Sequence, residues 1–83
     1  MKVIVLGCGP SAGVPQIDND YPEGMLDDPR NHRMRSSIAV EHNGTWILVD
    51  TSPDLRRQLL DNAITRLDAV CYTHPHADHC HGI

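Results

Sequence analysis

The sequence predicts an α+β fold, and three observations predict it. Apolar, β-favouring runs occupy residues 1–7, flank an Asn-Gly pair across 36–49, and return at 67–72. A single stretch with helix-capping residues, 52–62, lies between the second and third of these. The last run then leads into a histidine-rich loop: four of the six histidines fall within residues 74–81.

The first strand is Met1-Lys2-Val3-Ile4-Val5-Leu6-Gly7. A glycine-rich turn follows, Gly7-Cys8-Gly9-Pro10-Ser11-Ala12-Gly13-Val14-Pro15. Gly7-x-Gly9-x-x-Ala12 after an apolar strand loosely matches a dinucleotide-binding fingerprint. On that reading the chain is a fragment of a flavin (FAD) or nicotinamide (NAD) oxidoreductase, with phosphates resting on a helix N-terminus. The fingerprint needs a helix at once. Here Pro15 interrupts, and Asp18, Asn19, Asp20, Pro22 and Gly24 favour turns.

Residues 16–35 form a long loop, acidic in its first half and basic in its second. Arg30, Arg33 and Arg35 cluster there with His32. A guanidinium fork matches phosphate oxygens, so the cluster suits a phosphate-bearing substrate; internal salt bridges are the plainer alternative. The runs 36–41 and 46–49 meet at Asn43-Gly44, a strong hairpin signal. His42 at the hairpin edge is expected to be exposed and without a role. Asp50 ends the second run. As an isolated residue it reads as an Asx turn or a helix cap, or as a group facing the site. Ser52 is a good N-cap, Pro53 fits the first helical position, and Asp54 favours the positive end of the dipole. Leu55, Leu59 and Leu60 are expected on the buried side of this helix, and Arg56 and Arg57 on the solvated side. Asp61-Asn62 ends it.

Residues 67–72 are read as the last strand, followed by His74-Pro75-His76-Ala77-Asp78-His79-Cys80-His81-Gly82. Histidine offers a neutral ring nitrogen to metals near physiological pH, and aspartate a charged oxygen. In an extended chain, residues two apart point the same way, so His74 and His76 suit one cation. Pro75 holds His74 in the extended region. Asp78 and His79 are adjacent and diverge in a flat strand, so a turn or helix start is expected after Ala77 to aim both at a second cation. Cys80 and His81 carry no assigned role.

His74-x-His76-x-Asp78-His79 after a strand resembles the signature of the metallo-β-lactamase superfamily of hydrolases. Gly7-x-Gly9-x-Ser11-x-Gly13-Val14-Pro15 and Asp50-Thr51-Ser52-Pro53-Asp54-Leu55-Arg56 resemble one branch of it. That branch holds the phosphoribosyl cyclic phosphodiesterases and coenzyme pyrroloquinoline quinone biosynthesis protein B, and is related to the tRNA 3′-processing endonucleases. The resemblance implies the N-terminal part of a four-layer αββα sandwich, with residues 1–83 an incomplete fragment of a single domain. It implies two zinc ions, or manganese, with His74 and His76 on the first and Asp78 and His79 on the second. Asp50 lies beneath these ligands, and Asp78 also orients the nucleophile. The implied reaction is hydrolysis of a phosphodiester, for example a cyclic ribose phosphate, by a hydroxide shared between the metals. The implied partner is a small phosphorylated substrate, with a homodimer open for the full-length form. Relatives carry loop cysteines that hold an extra zinc. Met25 stands near one such position, so that zinc is not expected here. The 83 residues alone are expected to be inactive, and a non-catalytic metal-binding module is a third reading.

Composition bounds these readings. Eighty-three residues make at most one small domain, and 4 % aromatics with no phenylalanine is thin material for a core. The net charge of −4 argues against nucleic-acid partners and membrane surfaces. Three cysteines without a C-x-x-C pair fit a reducing, cytoplasmic setting. The opening apolar run is too short for a signal peptide or a membrane span.

Overall fold

The computed structural model describes residues 1–17 and 19–83. Asp18, one of the expected turn formers, lies outside the described residues. Four strands form one sheet in chain order: β1 (Lys2–Gly7), β2 (Ser37–His42), β3 (Thr45–Val49) and β4 (Ala69–Cys71). The β1/β2 and β2/β3 pairs are antiparallel, and β3/β4 is parallel. A parallel neighbour needs a crossover, and helix α1 (Leu55–Asp61) provides it. A second, one-turn helix, α2 (Ala77–Cys80), follows β4. No helix among the described residues is long and apolar enough to cross a membrane.

The hairpin closes more tightly than the sequence pattern alone required. β2 and β3 each reach one residue further, pairing His42 with Thr45 around a two-residue turn. Asn43 and Gly44 both have positive φ, 51° and 81°. That conformation gives a turn whose twist matches the flanking strands. The Glu41 carboxylate accepts from the Gly44 amide at 2.8 Å and fixes it further. His42 is exposed, as expected.

One face of the sheet carries the core. Leu6, Ala39 and Leu48 are buried together with Ile64 from the crossover. Ile4, Trp46, Leu55, Leu59 and Leu67 pack around them. The α1 face differs from the expected one in two ways. The helix begins at Leu55 rather than Pro53, because Ser52 caps a preceding turn: its Oγ accepts from the Asp54 amide at 3.1 Å. Leu60 is 60 % exposed, and Gln58 takes the inner position instead. The Gln58 side chain is fully buried, and it links the Arg35 backbone to the Ser52 side chain. Its Nε2 donates to the Arg35 carbonyl at 2.8 Å, and its Oε1 accepts from Ser52 Oγ at 2.7 Å. Beside it the chain at Arg35 runs so close to Gly7 that a Cβ there would collide with the Met34 and Arg35 carbonyls.

The opposite face stays open. Val3, Val5, Ile38, Val40, Ile47, Val49, Ala69 and Cys71 share it by register. Val3 and Val5 are 57 % and 66 % exposed, and all three residues of β4 are exposed. Parallel strands are ordinarily covered on both faces, so this is half of a layered arrangement.

The long loop is less irregular than expected. It holds two single 3₁₀ turns, Met25–Asp27 and Pro29–Asn31, and bridges Gly9 to Arg35 and Val14 to Arg33. Among the described residues no helix follows Gly13 before Met25. The dinucleotide fingerprint therefore lacks the helix N-terminus on which it depends.

The strand β4 is shorter than the apolar run 67–72, and Asp68 anchors its start. The Asp68 carboxylate accepts from the Trp46 amide at 2.8 Å, and the Asp68 amide donates to the Trp46 carbonyl. The Trp46 amide and the Arg66 guanidinium hold this carboxyl below its ordinary range. A group whose folded pKa is depressed stabilises the fold above the unfolded value, about pH 4, and that contribution is lost as pH falls through the lower folded value. Urea unfolding of Asp68→Asn should thus show lower stability than wild type at pH 7, with the gap closing between pH 4 and pH 2.

Candidate metal centre

The site is built around Asp50. It follows β3, is 4 % exposed, and has φ +66°. Aspartate tolerates this left-handed conformation better than most residues, and such departures cluster at functional sites. The turn it makes aims the carboxylate at the segment after β4. Oδ1 accepts from the Thr73 amide at 2.8 Å. Oδ2 accepts from the Thr73 hydroxyl at 2.8 Å and lies 2.7 Å from His79 Nδ1. Burial pushes the Asp50 carboxyl up; the Thr73 amide, the His79 ring and the Thr73 hydroxyl together outweigh it and hold the carboxyl below its ordinary range. Of the readings open for Asp50, the structure shows the one that ties it to the histidine loop.

The backbone completes this docking. The Thr51 amide donates to the His79 carbonyl at 2.9 Å, and the Gly82 amide donates to the Thr51 carbonyl at 3.0 Å. Gly82 lies flat on the Thr51–Ser52 backbone, where a Cβ would collide with the Ser52 carbonyl. Thr51 and Ser52 are fully buried beneath it. These contacts turn the chain into α2 at Ala77, the expected place.

The three histidine rings gather there. The His74 and His79 centroids lie 4.1 Å apart, and those of His74 and His76 lie 4.6 Å apart. A carboxylate only accepts, so His79 donates from Nδ1 to Asp50 and presents Nε2 on its other side. That nitrogen lies 3.2 Å from Asp78 Oδ2. A bare imidazole nitrogen and a carboxylate oxygen are both acceptors, and a proton or metal cation between them satisfies both. Two donors each about 2.0–2.1 Å from a tetrahedral zinc lie about 3.3 Å apart. The Asp78–His79 pair thus fits two positions of one metal. Among the described residues, no group of three His, Cys, Asp or Glu is disposed to hold a metal ion, so the pair does not close a site by itself.

Other candidates fall outside the cluster. Cys80 Sγ donates to the His76 carbonyl at 3.2 Å and acts within the α2 turn. His81 is exposed. The loop arginines are not gathered around the histidines. Arg30 pairs with Asp28, and Arg35 forms a two-pronged pair with Asp54 at 2.8 and 3.1 Å. A cleft of about 760 Å³ lies against Gly7, Val14, Arg33, Arg35 and Arg57, and none of residues 73–82 lines it. The residues that sequence reasoning passed over are Thr73, Gln58 and Gly82. The signals for the first two were a hydroxyl directly before His74 and a glutamine on an apolar helix face.

The chain is similar to several known proteins. The Metallo-beta-lactamase superfamily domain matches residues 30–83. An octanoyltransferase of Porphyromonas gingivalis is 40 % identical over 84 residues, spanning 100 % of this chain and 17 % of that protein. The coenzyme PQQ synthesis protein B of Rhodopseudomonas palustris is 43 % identical over 63 residues, 72 % of this chain and 20 % of its own. Among solved structures, a diphosphatase from the PhnP family superposes with a TM-score of 0.88 at 45 % identity, over 96 % of this chain and 32 % of that one. Zn²⁺-bound PqqB from Methylobacterium extorquens superposes with a TM-score of 0.81 at 31 % identity, over 96 % and 34 %. The chain thus spans about a fifth of these curated relatives and a third of these structures.

Replacing Asp50 with Ala removes the acceptor for three donors, each hydrogen bond to a charged group being worth about 1.5–3 kcal/mol. Removing the buried charge also relieves its desolvation, which offsets part of this loss, so urea unfolding should show a net loss of about 3 kcal/mol. Hydrogen exchange should speed up first at the Thr73 amide.

Proposed function

The chain belongs to the metallo-β-lactamase superfamily, and on that premise we propose that it supplies the metal-binding N-terminal part of a metal-dependent hydrolase acting on a small phosphorylated substrate. The observation that carries the reading is the Asp78 Oδ2–His79 Nε2 pair at 3.2 Å, held from behind by Asp50 and flanked by the His74 and His76 rings. The likeness to the diphosphatase and to the Zn²⁺-bound PqqB structure supports phosphate chemistry and zinc respectively.

In this reading His74 and His76 hold one zinc, and Asp78 and His79 hold a second. Further ligands come from the portion of the domain that this chain does not match. Manganese is the alternative where oxygen donors dominate. When bound, such ions supply Lewis acidity and bring the pKa of a water down to about 7. The protein residues do the positioning. Asp50 keeps His79 Nε2 free by holding the opposite nitrogen as a donor. Asp78 places a carboxylate oxygen beside that nitrogen, where it can also orient an attacking water by accepting its hydrogen. The substrate is a phosphodiester, for which a cyclic ribose phosphate is the first test compound. Three free thiols, Cys8, Cys71 and Cys80, fit a reducing compartment such as the cytoplasm.

The test uses a protein spanning the whole domain. Elemental analysis should find zinc or manganese in stoichiometric amount, and a metal-free, fully active protein would overturn the proposal. His76→Ala should lower phosphodiester hydrolysis more than about 100-fold, since loss of an outer-shell partner alone costs 10–100-fold. A thioester turned over in preference to every phosphodiester would keep the metal centre and discard the substrate class.

A further inference from the structure

We propose that Thr73 is a positioning residue that carries the orienting effect of Asp50 to His74, so that one carboxylate sets the ring nitrogens of two histidines. This rests on the reading that His74 and His79 are ligands, and it adds how their donor atoms are selected. The Thr73 hydroxyl lies between two partners, 2.8 Å from Asp50 Oδ2 and 2.7 Å from His74 Nδ1. A hydroxyl has one proton to give and lone pairs to receive with. A carboxylate oxygen can only receive. If the hydroxyl proton pointed at His74, the Thr73 and Asp50 oxygens would face each other as two acceptors at 2.8 Å. The proton therefore goes to Asp50, and the Thr73 oxygen accepts from His74. That assigns the His74 proton to Nδ1 and leaves Nε2 bare.

The same reasoning assigns His79, whose Nδ1 donates directly to Asp50 Oδ2 at 2.7 Å. The two rings are thus set alike by one oxygen, His79 by contact and His74 through a hydroxyl. The Thr73 amide also donates to Asp50 Oδ1, so the relay residue is clamped at its backbone and its side chain together. A hydroxyl on a freely turning stem would not hold this line; the branched Thr side chain restricts χ1. The reach matters because, in the proposed function, His79 and His74 serve different metals. A single anchored carboxylate then orients a ligand of each.

The experiment compares wild type, Thr73→Val and Thr73→Ser, each in a protein spanning the whole domain. Val keeps the branched shape and the amide bond to Asp50 but removes the hydroxyl; Ser restores the hydroxyl. Long-range ¹⁵N–¹³C spectra of the imidazoles, recorded on metal-free protein at a pH where the rings are neutral, read which nitrogen carries the proton. Wild type and Thr73→Ser should show Nδ1–H at both His74 and His79. Thr73→Val should lose that preference at His74 and keep it at His79. Zinc affinity should fall about 10–100-fold in Thr73→Val and recover in Thr73→Ser. A wild-type His74 protonated on Nε2 overturns the relay, whatever the variants do. So does a Thr73→Val protein in which His74 stays Nδ1–H. Failure to bind zinc at all would sink the metal reading while leaving the tautomer result standing, so the two can fail separately.

Discussion

The carboxylate of Asp50 is the interaction on which the rest of this structure depends. It is buried, it sits at the point where β3 stops, and its left-handed backbone turns the chain under the histidine segment. Burying a charge is costly unless it is fully hydrogen-bonded. Here the Thr73 amide, the Thr73 hydroxyl and the His79 ring satisfy it, and all three belong to the segment it must hold. The cost of burial and the placement of the candidate ligands are therefore one arrangement. The Thr51–His79 and Gly82–Thr51 backbone bonds dock the same segment beside it.

Close backbone approach is the second constraint, and it explains residues that have no chemistry of their own. Gly7 lets the chain at Met34 and Arg35 pass beside β1, and Gly82 lets the end of the histidine segment lie on Thr51 and Ser52. Between these contacts Gln58 links the Arg35 carbonyl to the Ser52 hydroxyl. The glycine loop, helix α1 and the turn at residues 50–52 are thus joined by a polar seam beneath the site. A helix of seven residues is too short to persist alone. It is held by Leu55 and Leu59 against the sheet and by this seam.

Much of this was legible in the sequence where a local signal had a single physical meaning. Asn43-Gly44 between β-prone runs specified the hairpin, because few other pairs accept two positive φ angles. The histidine spacing after an apolar run marked the site, and Ala77 was the expected turning point. What was not legible depended on partners distant in sequence. Leu60 fits an apolar stripe on a helical wheel, but the inner position goes to Gln58, whose partners are 6 and 23 residues away. For the loop arginines salt bridges were the plainer reading, and Asp28 and Asp54 hold two of them; that Asp54 is the partner of Arg35, 19 residues away, was not legible. Asp50 had several local meanings, and its contacts with Thr73 and His79, 23 and 29 residues on, separate them.

The uncovered side of the sheet has a practical consequence. Valine and isoleucine side chains spread across β1, β2 and β3, and the parallel edge of β4 is bare among the described residues. Water-facing apolar surface beside an unpaired edge is what drives strands of separate molecules to join. Produced as an isolated 83-residue polypeptide, this segment is prone to collect in inclusion bodies, and a fused solubility partner or mild detergent would be the sensible starting point for handling it.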